Sequence, residues 1–164
     1  HSNHWNMGNL ELDVMKDGVM KNENVANVLT LYDVDGYSNS NKYFIQLSMT
    51  CLTSQFVKPA ASGTTIDERA FLNPSGGAVA LWGPAGLSVA HGHDKLQEGF
   101  LEKLRQNVNM NTPIGQMLDS GYQQLLLKGT CCQDALETFL FFGDPLTPAR
   151  VFMPLEVYLP LVNR

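Results

Sequence analysis

A run of small and apolar residues between glycines, residues 76–83 (GGAVALWG), constrains the fold more than any other feature of this sequence. Continuous apolar character without polar alternation is typical of a strand that is covered on both faces, as in a parallel sheet. Residues 43–49 (YFIQLSM) are rich in aromatic and aliphatic side chains and predict a second strand. We therefore expect a mostly parallel sheet with helices on both faces.

Helical patterns follow and separate the two predicted strands. Residues 67–72 predict a short helix that begins after Thr64 or Thr65, either of which is a suitable capping residue. A longer helix is predicted by apolar side chains at helical spacing: Leu96, Phe100, Leu101 and Leu104. A third helix is expected to begin with Thr112 as its cap and to end at Gly129. This alternation of strands and helices predicts an α/β fold.

The number of predicted strands is low for such a sheet. Only two or three are evident, since residues 134–142 fit a helix or a strand, whereas a covered sheet usually has about five. Either the first 40 residues contain strands without a clear pattern, or a segment upstream of His1 supplies them. The abrupt start at His1 favours the second alternative, so we expect the sheet to be incomplete without an upstream segment.

Composition excludes two classes of partner. The sequence is 44% hydrophobic and 16% charged, which is a globular composition. Its 11 basic and 16 acidic residues give a formal charge of −5, and no cluster of basic residues is present to neutralise phosphates. No apolar run approaches the roughly 20 residues that span a bilayer. We expect neither a nucleic-acid partner nor a membrane span.

Three cysteines are too few for a disulfide framework. Adjacent cysteines such as Cys131 and Cys132 rarely bridge each other, because the ring they would close is strained. Either Cys51 pairs with one of them, or at least one thiol remains for chemistry.

Cys51 follows the predicted strand at residues 43–49 by two positions. Catalytic groups of open α/β sheets lie beyond the carboxyl ends of the strands, so the Cys51 thiol is a candidate nucleophile. Such a thiol needs a histidine to lower its pKa or accept its proton. The sequence has four histidines, which are His1, His4, His91 and His93. The alternative is that Cys51 is a small buried hydrophobic residue.

Four short motifs resemble those of the gingipain-type cysteine peptidases, which belong to the caspase-like group. They are residues 1–5 (HSNHW), residues 51–56 (CLTSQF) followed by the glycine-flanked strand, residues 112–115 (TPIG) and residues 142–146 (FGDPL). Together, in this order, they cover nearly the whole chain. The resemblance implies a caspase-like fold, with residues 1–150 as the carboxyl-terminal part of a catalytic domain. Residues 151–164 are apolar with period-two stretches and two prolines, which predicts an extended edge strand or docking arm.

The resemblance also implies a mechanism. Cys51 matches the family's nucleophile and His1 its catalytic histidine, with His4 as the rival. The thiolate would attack a peptide carbonyl, and backbone N–H groups of Ser2 and Cys51 would hold the oxyanion. Water would then hydrolyse the thioester, and no cofactor would be required.

The loop at residues 82–93 matches the region that lines the family's primary specificity pocket. The side chains expected to contact a polypeptide substrate are Trp82, Ser88, His91 and His93. The alternative is that Trp82 packs at the end of the sheet and the histidines cap the next helix.

Residues 33–41 (DVDGYSNSN) place oxygen ligands around a glycine, like the start of a calcium loop. The terminal Glu of an EF-hand is absent, and a solvated turn is the alternative. Bound calcium is common in the resembled family, so a structural calcium held by Asp33 and Asp35 is kept as a hypothesis.

The resulting prediction is a secreted or surface-bound bacterial cysteine endopeptidase, matured by proteolytic processing and associated noncovalently with an upstream fragment of the same precursor. One rival is a sortase-like transpeptidase, in which an amine replaces water. The other is an inactive relic that kept the fold as a binding or structural module.

Overall fold

The computed structural model describes eight stretches of the 164-residue chain. These are residues 4–5, 11–16, 19–24, 29–57, 63–87, 90–107, 111–129 and 131–149, with the backbone alone described before residue 29. The predicted arm at residues 151–164 lies outside the described residues, as do His1, Ser2 and Ser88.

Nine strands and five helices occur in the described part of the chain. In the first half they are β1 (His4–Trp5), β2 (Glu11–Lys16), β3 (Val19–Asn24), β4 (Leu29–Thr30), α1 (Leu31–Asp35), β5 (Phe44–Leu47) and α2 (Ile66–Phe71). In the second half they are β6 (Ala78–Pro84), α3 (Ala90–Gln106), β7 (Thr112–Pro113), α4 (Ile114–Lys128), α5 (Ala135–Thr138), β8 (Phe139–Phe142) and β9 (Pro148–Ala149).

The central sheet has three strands in the order β5-β6-β8. Strands β5 and β6 are parallel, with Leu47 opposite Trp82, and they confirm the two strands predicted from the sequence. Strand β8 is antiparallel to β6. In the described residues the sheet therefore has two parallel strands and one antiparallel strand. The ambiguous segment at residues 134–142 contains both a short helix, α5, and a strand, β8.

Helices cover both faces of this sheet, as predicted. Successive residues of β6 point to opposite faces, so Trp82 packs in one core and Leu81 in the other. The larger core contains side chains of α3 and α4, including Leu96, Phe100, Ile114 and Met117. The smaller core is formed by Leu81 with Val34 of α1 and Ile66 and Ala70 of α2.

The helix ends agree with the sequence in two of three cases. Thr65 caps α2 by accepting a hydrogen bond from the Glu68 N–H at 3.2 Å, and Gly129 ends α4, with its N–H donating to the Leu125 carbonyl at 2.9 Å. Thr112 does not cap α4. It pairs with Ala149 in the short β7-β9 ladder, so Pro113 occupies the cap position without a side-chain hydrogen bond.

Strands also occur in the first 30 residues, where the sequence pattern predicted none. Strands β2 and β3 form an antiparallel hairpin, and β1 pairs with β4. Neither pair joins the central sheet in the described residues. The hidden strands therefore do not make up the strand deficit of that sheet.

Helices α3 and α4 approach closely where both carry glycine. A Cβ atom placed on Gly121 would lie 2.7 Å from the Leu96 carbonyl oxygen and 2.7 Å from the Trp82 ring. The missing side chain thus allows α4 to lie against both α3 and the buried face of β6.

We expect Gly121→Ala to lower the free energy of unfolding by about 1–3 kcal/mol, because the added methyl group overpacks the contact between α4, α3 and Trp82. Urea denaturation of the full chain measures this change. Gln116→Ala, at an exposed position of the same helix, is the control and should stay within about 0.5 kcal/mol of the parent. Equal stability of the two variants would contradict the proposed contact.

Candidate active site

Cys51 lies in a turn beyond the carboxyl end of β5, as the sequence predicts. Cys51 is half-buried. The turn, residues 48–54, is attached to β6 through backbone hydrogen bonds. The Ser48 N–H donates to the Trp82 carbonyl at 2.8 Å, and the Ser54 N–H donates to the Pro84 carbonyl at 3.0 Å. Both ends of the turn are therefore fixed to the buried strand.

Leu52, the residue after Cys51, has a φ of +62°, a left-handed conformation that a bulky side chain rarely adopts. Its N–H donates to the Gly86 carbonyl at 3.2 Å, and its own carbonyl accepts from the Gln55 N–H at 3.2 Å. Conformations of this kind persist where surrounding contacts enforce them, and they cluster at functional sites. Because the Leu52 N–H is already bonded, it does not serve as an oxyanion donor.

Asp67 of α2 lies beneath the turn and is fully buried. Its Oδ1 accepts hydrogen bonds from Gln46 Nε2 and Ser48 Oγ, each at 2.8 Å, and its Oδ2 accepts from Ser54 Oγ at 2.6 Å. Burial raises the pKa of Asp67, while the bonds from Ser54, Ser48 and Gln46 oppose that rise. The sequence indicated only an acidic residue in the first turn of a helix, and the neighbouring apolar Ile66 was the one sign of burial.

His93 lies in α3 and is 6% exposed. Its ring packs edge-on against Phe139, with centroids 5.2 Å apart, and it forms a hydrogen bond with the Met49 backbone. Burial lowers the pKa of His93, and the nearby charge of Asp134 and the Met49 bond act in the opposite direction. Its Nε2 atom is buried and has no hydrogen-bond partner in the described part of the chain. His93 is thus buried between α3 and Phe139 near the end of β5, and its predicted substrate contact stays a prediction.

Trp82 is fully buried and fills the core beneath α3 and α4. Its indole N–H donates to Tyr122 Oη at 3.1 Å, and its ring packs against Phe100, Tyr122 and Phe139. This arrangement corresponds to the packing alternative that the sequence left open for Trp82. The predicted substrate contact of Trp82 stays a prediction.

Of the other predicted site residues, His91 is exposed at the start of α3, and His4 lies in β1, where only the backbone is described. The predicted roles of His1, Ser2 and Ser88 fall outside the described residues and stay predictions.

Cys131 and Cys132 form a disulfide with each other, which corrects the expectation that adjacent cysteines would not bridge. The pairing is local, because the two residues are neighbours in a turn before α5. Cys51 therefore keeps its thiol, in agreement with the alternative that one thiol remains for chemistry.

The predicted calcium ligands have protein partners. The Asp33 carboxylate accepts from the Thr30 N–H at 2.8 Å and forms a capping box at the start of α1, and Asp35 pairs with Arg69. No group of three or more acidic, His or Cys side chains among the described residues is arranged to hold a metal ion. The calcium hypothesis for Asp33 and Asp35 stays a prediction.

A comparison with models of protein families matches residues 3–150 to peptidase family C25. The chain belongs to peptidase family C25. This is the gingipain family of cysteine peptidases, so the resemblance drawn from the four motifs is confirmed, and with it the caspase-like α/β fold. No curated protein and no solved structure matches the chain. Among the described helices of this C25 member, none has the length and hydrophobicity needed to cross a membrane.

We expect the stability of this C25 member to depend on pH through His93. Its native pKa lies below the unfolded value of about 6.5, so the native state binds fewer protons and the free energy of unfolding falls as the pH drops through about 6.5. His93→Gln should remove this part of the decline, measured by urea denaturation between pH 5 and 8.

His91→Gln, two residues earlier on α3 and exposed, is the matched control and should keep the decline. If His93→Gln lost stability as steeply as the parent on acidification, the role of His93 burial would be refuted.

Proposed function

We propose that this chain carries the catalytic residues of a cysteine endopeptidase and that Cys51 is its nucleophile. The observation that carries the proposal is the position of Cys51 in a family C25 chain. Cys51 is half-buried and follows the carboxyl end of the parallel strand β5. The turn that contains it is hydrogen-bonded at both ends to β6. That edge is where α/β folds place their reacting groups.

In the proposed reaction, the Cys51 thiolate attacks the carbonyl carbon of the scissile peptide bond and forms a C–S bond. The C–N bond then breaks as the His1 imidazolium gives its proton to the leaving amine. Water attacks the thioester, His1 takes up its proton, and the acid product leaves as the Cys51 thiolate re-forms. The backbone N–H groups of Ser2 and Cys51 are the proposed oxyanion donors.

The proposed substrate is a polypeptide, in keeping with the peptidase family. His91 is exposed at the start of α3. We propose that His91 and Ser88 contact the substrate. Trp82 and His93, which are buried, would contribute to the pocket by holding the ends of β5 and β6 in place. The proposed location is extracellular or on the cell surface of a bacterium.

We further propose that an upstream fragment of the same precursor completes the sheet. Strand β5 is an edge of the central sheet, since no described strand pairs with its second side. A cavity of about 430 Å³ lies beside this edge, with an apolar lining that includes Tyr43, Leu47, Leu101 and Leu104. An unpaired strand edge next to an apolar groove is suited to receive one more strand.

Cys51→Ala should abolish labelling by a peptidyl acyloxymethyl ketone and lower peptide hydrolysis on the order of 10³-fold or more, because no other group in the dyad supplies a nucleophile. His1→Ala should lower hydrolysis comparably, whereas His4→Ala, the matched control, should retain it. Labelling is followed by mass spectrometry on variants whose far-ultraviolet circular dichroism equals that of the parent.

Unchanged labelling of Cys51→Ala would refute the assignment, and loss of hydrolysis in His4→Ala with retention in His1→Ala would transfer the role to His4. The absence of any labelling in the parent would favour the inactive relic. Transfer of the acyl group to an added amine, seen in the products, would favour the transpeptidase over the hydrolase.

Leu101→Lys should weaken copurification of the upstream fragment with this chain at least about tenfold, because a charge would be buried against the added strand. Leu127→Lys, at an exposed site on α4, is the control and should bind like the parent. The measurement is affinity between separately purified fragments. Equal affinity of Leu101→Lys and Leu127→Lys for the upstream fragment would contradict the proposed strand addition.

A further inference from the structure

Asp67 is fully buried beside the smaller core, yet the proposed reaction does not use its carboxylate. We propose that Asp67 is a positioning residue for Cys51, holding the turn at residues 48–54 in the conformation that presents the thiol. This inference rests on the proposed function, because it assigns Asp67 to the same site.

The hydrogen bonds join one carboxylate to both ends of the turn. Ser48 stands three residues before Cys51 and bonds Oδ1 at 2.8 Å, while Ser54 stands three residues after it and bonds Oδ2 at 2.6 Å. The Asp67 N–H donates to the Thr53 carbonyl at 3.3 Å. Movement of the turn along β6 would break bonds at both of its ends.

A carboxylate suits this position because its two oxygens offer acceptor sites to several donors and no donor of their own. Three side-chain donors converge on Asp67: Gln46, Ser48 and Ser54. Neither of the ion pairs found in the described part of the chain includes Asp67. Burial of a carboxylate without a cation opposes folding and raises its pKa, so the residue costs stability that an apolar side chain would not.

Strand β6 provides the space for this carboxylate. A Cβ atom on Gly83 would collide with Asp67 Oδ2 and with Ser54 Oγ. The glycine therefore allows the carboxylate and the Ser54 hydroxyl to meet directly against the strand.

The turn also contains the strained residue Leu52, directly after Cys51. A positive φ at leucine persists only if neighbouring contacts enforce it. The bonds from Ser48 and Ser54 to Asp67, on either side of Leu52, are contacts of this kind. Their loss would let Leu52 relax and displace the adjacent Cys51.

The test compares three variants of the full precursor. Asp67→Ala removes the acceptors, and we expect kcat for peptide hydrolysis to fall about tenfold or more while KM changes less than about threefold, since misplacement of a reacting group acts mainly on the chemical step. Asp67→Asn keeps the shape and one oxygen, and its amide can donate to Ser54, so it should return kcat to within about threefold of the parent.

Glu68→Ala is the matched control. Glu68 is the next residue of α2 and completes the capping box with Thr65, so its loss destabilises the same helix without a bond to the turn. Its kcat should stay within about twofold of the parent. If Asp67→Ala behaves like Glu68→Ala, or if Asp67→Asn is as impaired as Asp67→Ala, the positioning role is overturned.

Alkylation of Cys51 by iodoacetamide separates this inference from the proposed function, because it needs no catalysis. The Asp67→Ala rate should differ from the parent rate by more than about threefold, and the Glu68→Ala rate should not. If hydrolysis proves independent of Cys51, the proposed function fails while this comparison still decides the role of Asp67. If Asp67→Ala does not fold, Ser48→Ala and Ser54→Ala replace it, because each removes one hydrogen bond to the carboxylate. The expected changes in kcat and alkylation rate, and the result that would overturn the proposal, are the same as for Asp67→Ala.

Discussion

The structure depends on the burial of one strand, β6, on both faces. Because its side chains alternate between two cores, helices have to cover the sheet from both sides, and Trp82 and Leu81 anchor the two layers. The backbone of the same strand then holds the Cys51 turn through the carbonyls of Trp82 and Pro84. The strand that organises the core thus also fixes the candidate site.

The larger core and the site share further contacts. His93 of α3 reaches the end of β5 through Met49 and packs on Phe139 of β8. Trp82 also packs on Phe139. Substitutions in this core therefore act on the turn as well as on stability, since close-packed interiors transmit displacement.

Buried polar side chains occur in the turn that carries Cys51 and directly beneath it, next to the apolar smaller core. Asp67, Ser48 and Ser54 are all fully buried, and burial of a charge is unfavourable unless hydrogen bonds compensate it. Every side-chain bond of the Asp67 carboxylate comes from β5 or from residues of the turn that follows it. The buried carboxylate beside the smaller core is thus bonded to the strand before Cys51 and to the turn that contains it.

The sequence by itself determined the α/β alternation, the two parallel strands, the cap at Thr65, the end of α4 at Gly129 and the family, because these depend on local periodicity, capping chemistry and short motifs. Only the tertiary structure decided which residues are buried next to the turn that carries Cys51. Apart from the neighbouring Ile66, nothing in the sequence separated Asp67 from an exposed acid at a helix start. The sequence also left open whether Trp82 and His93 pack in the core or line a pocket, because burial depends on which elements pack together. The antiparallel placement of β8 and the role of Thr112 in the β7-β9 ladder depend likewise on strand partners distant in sequence.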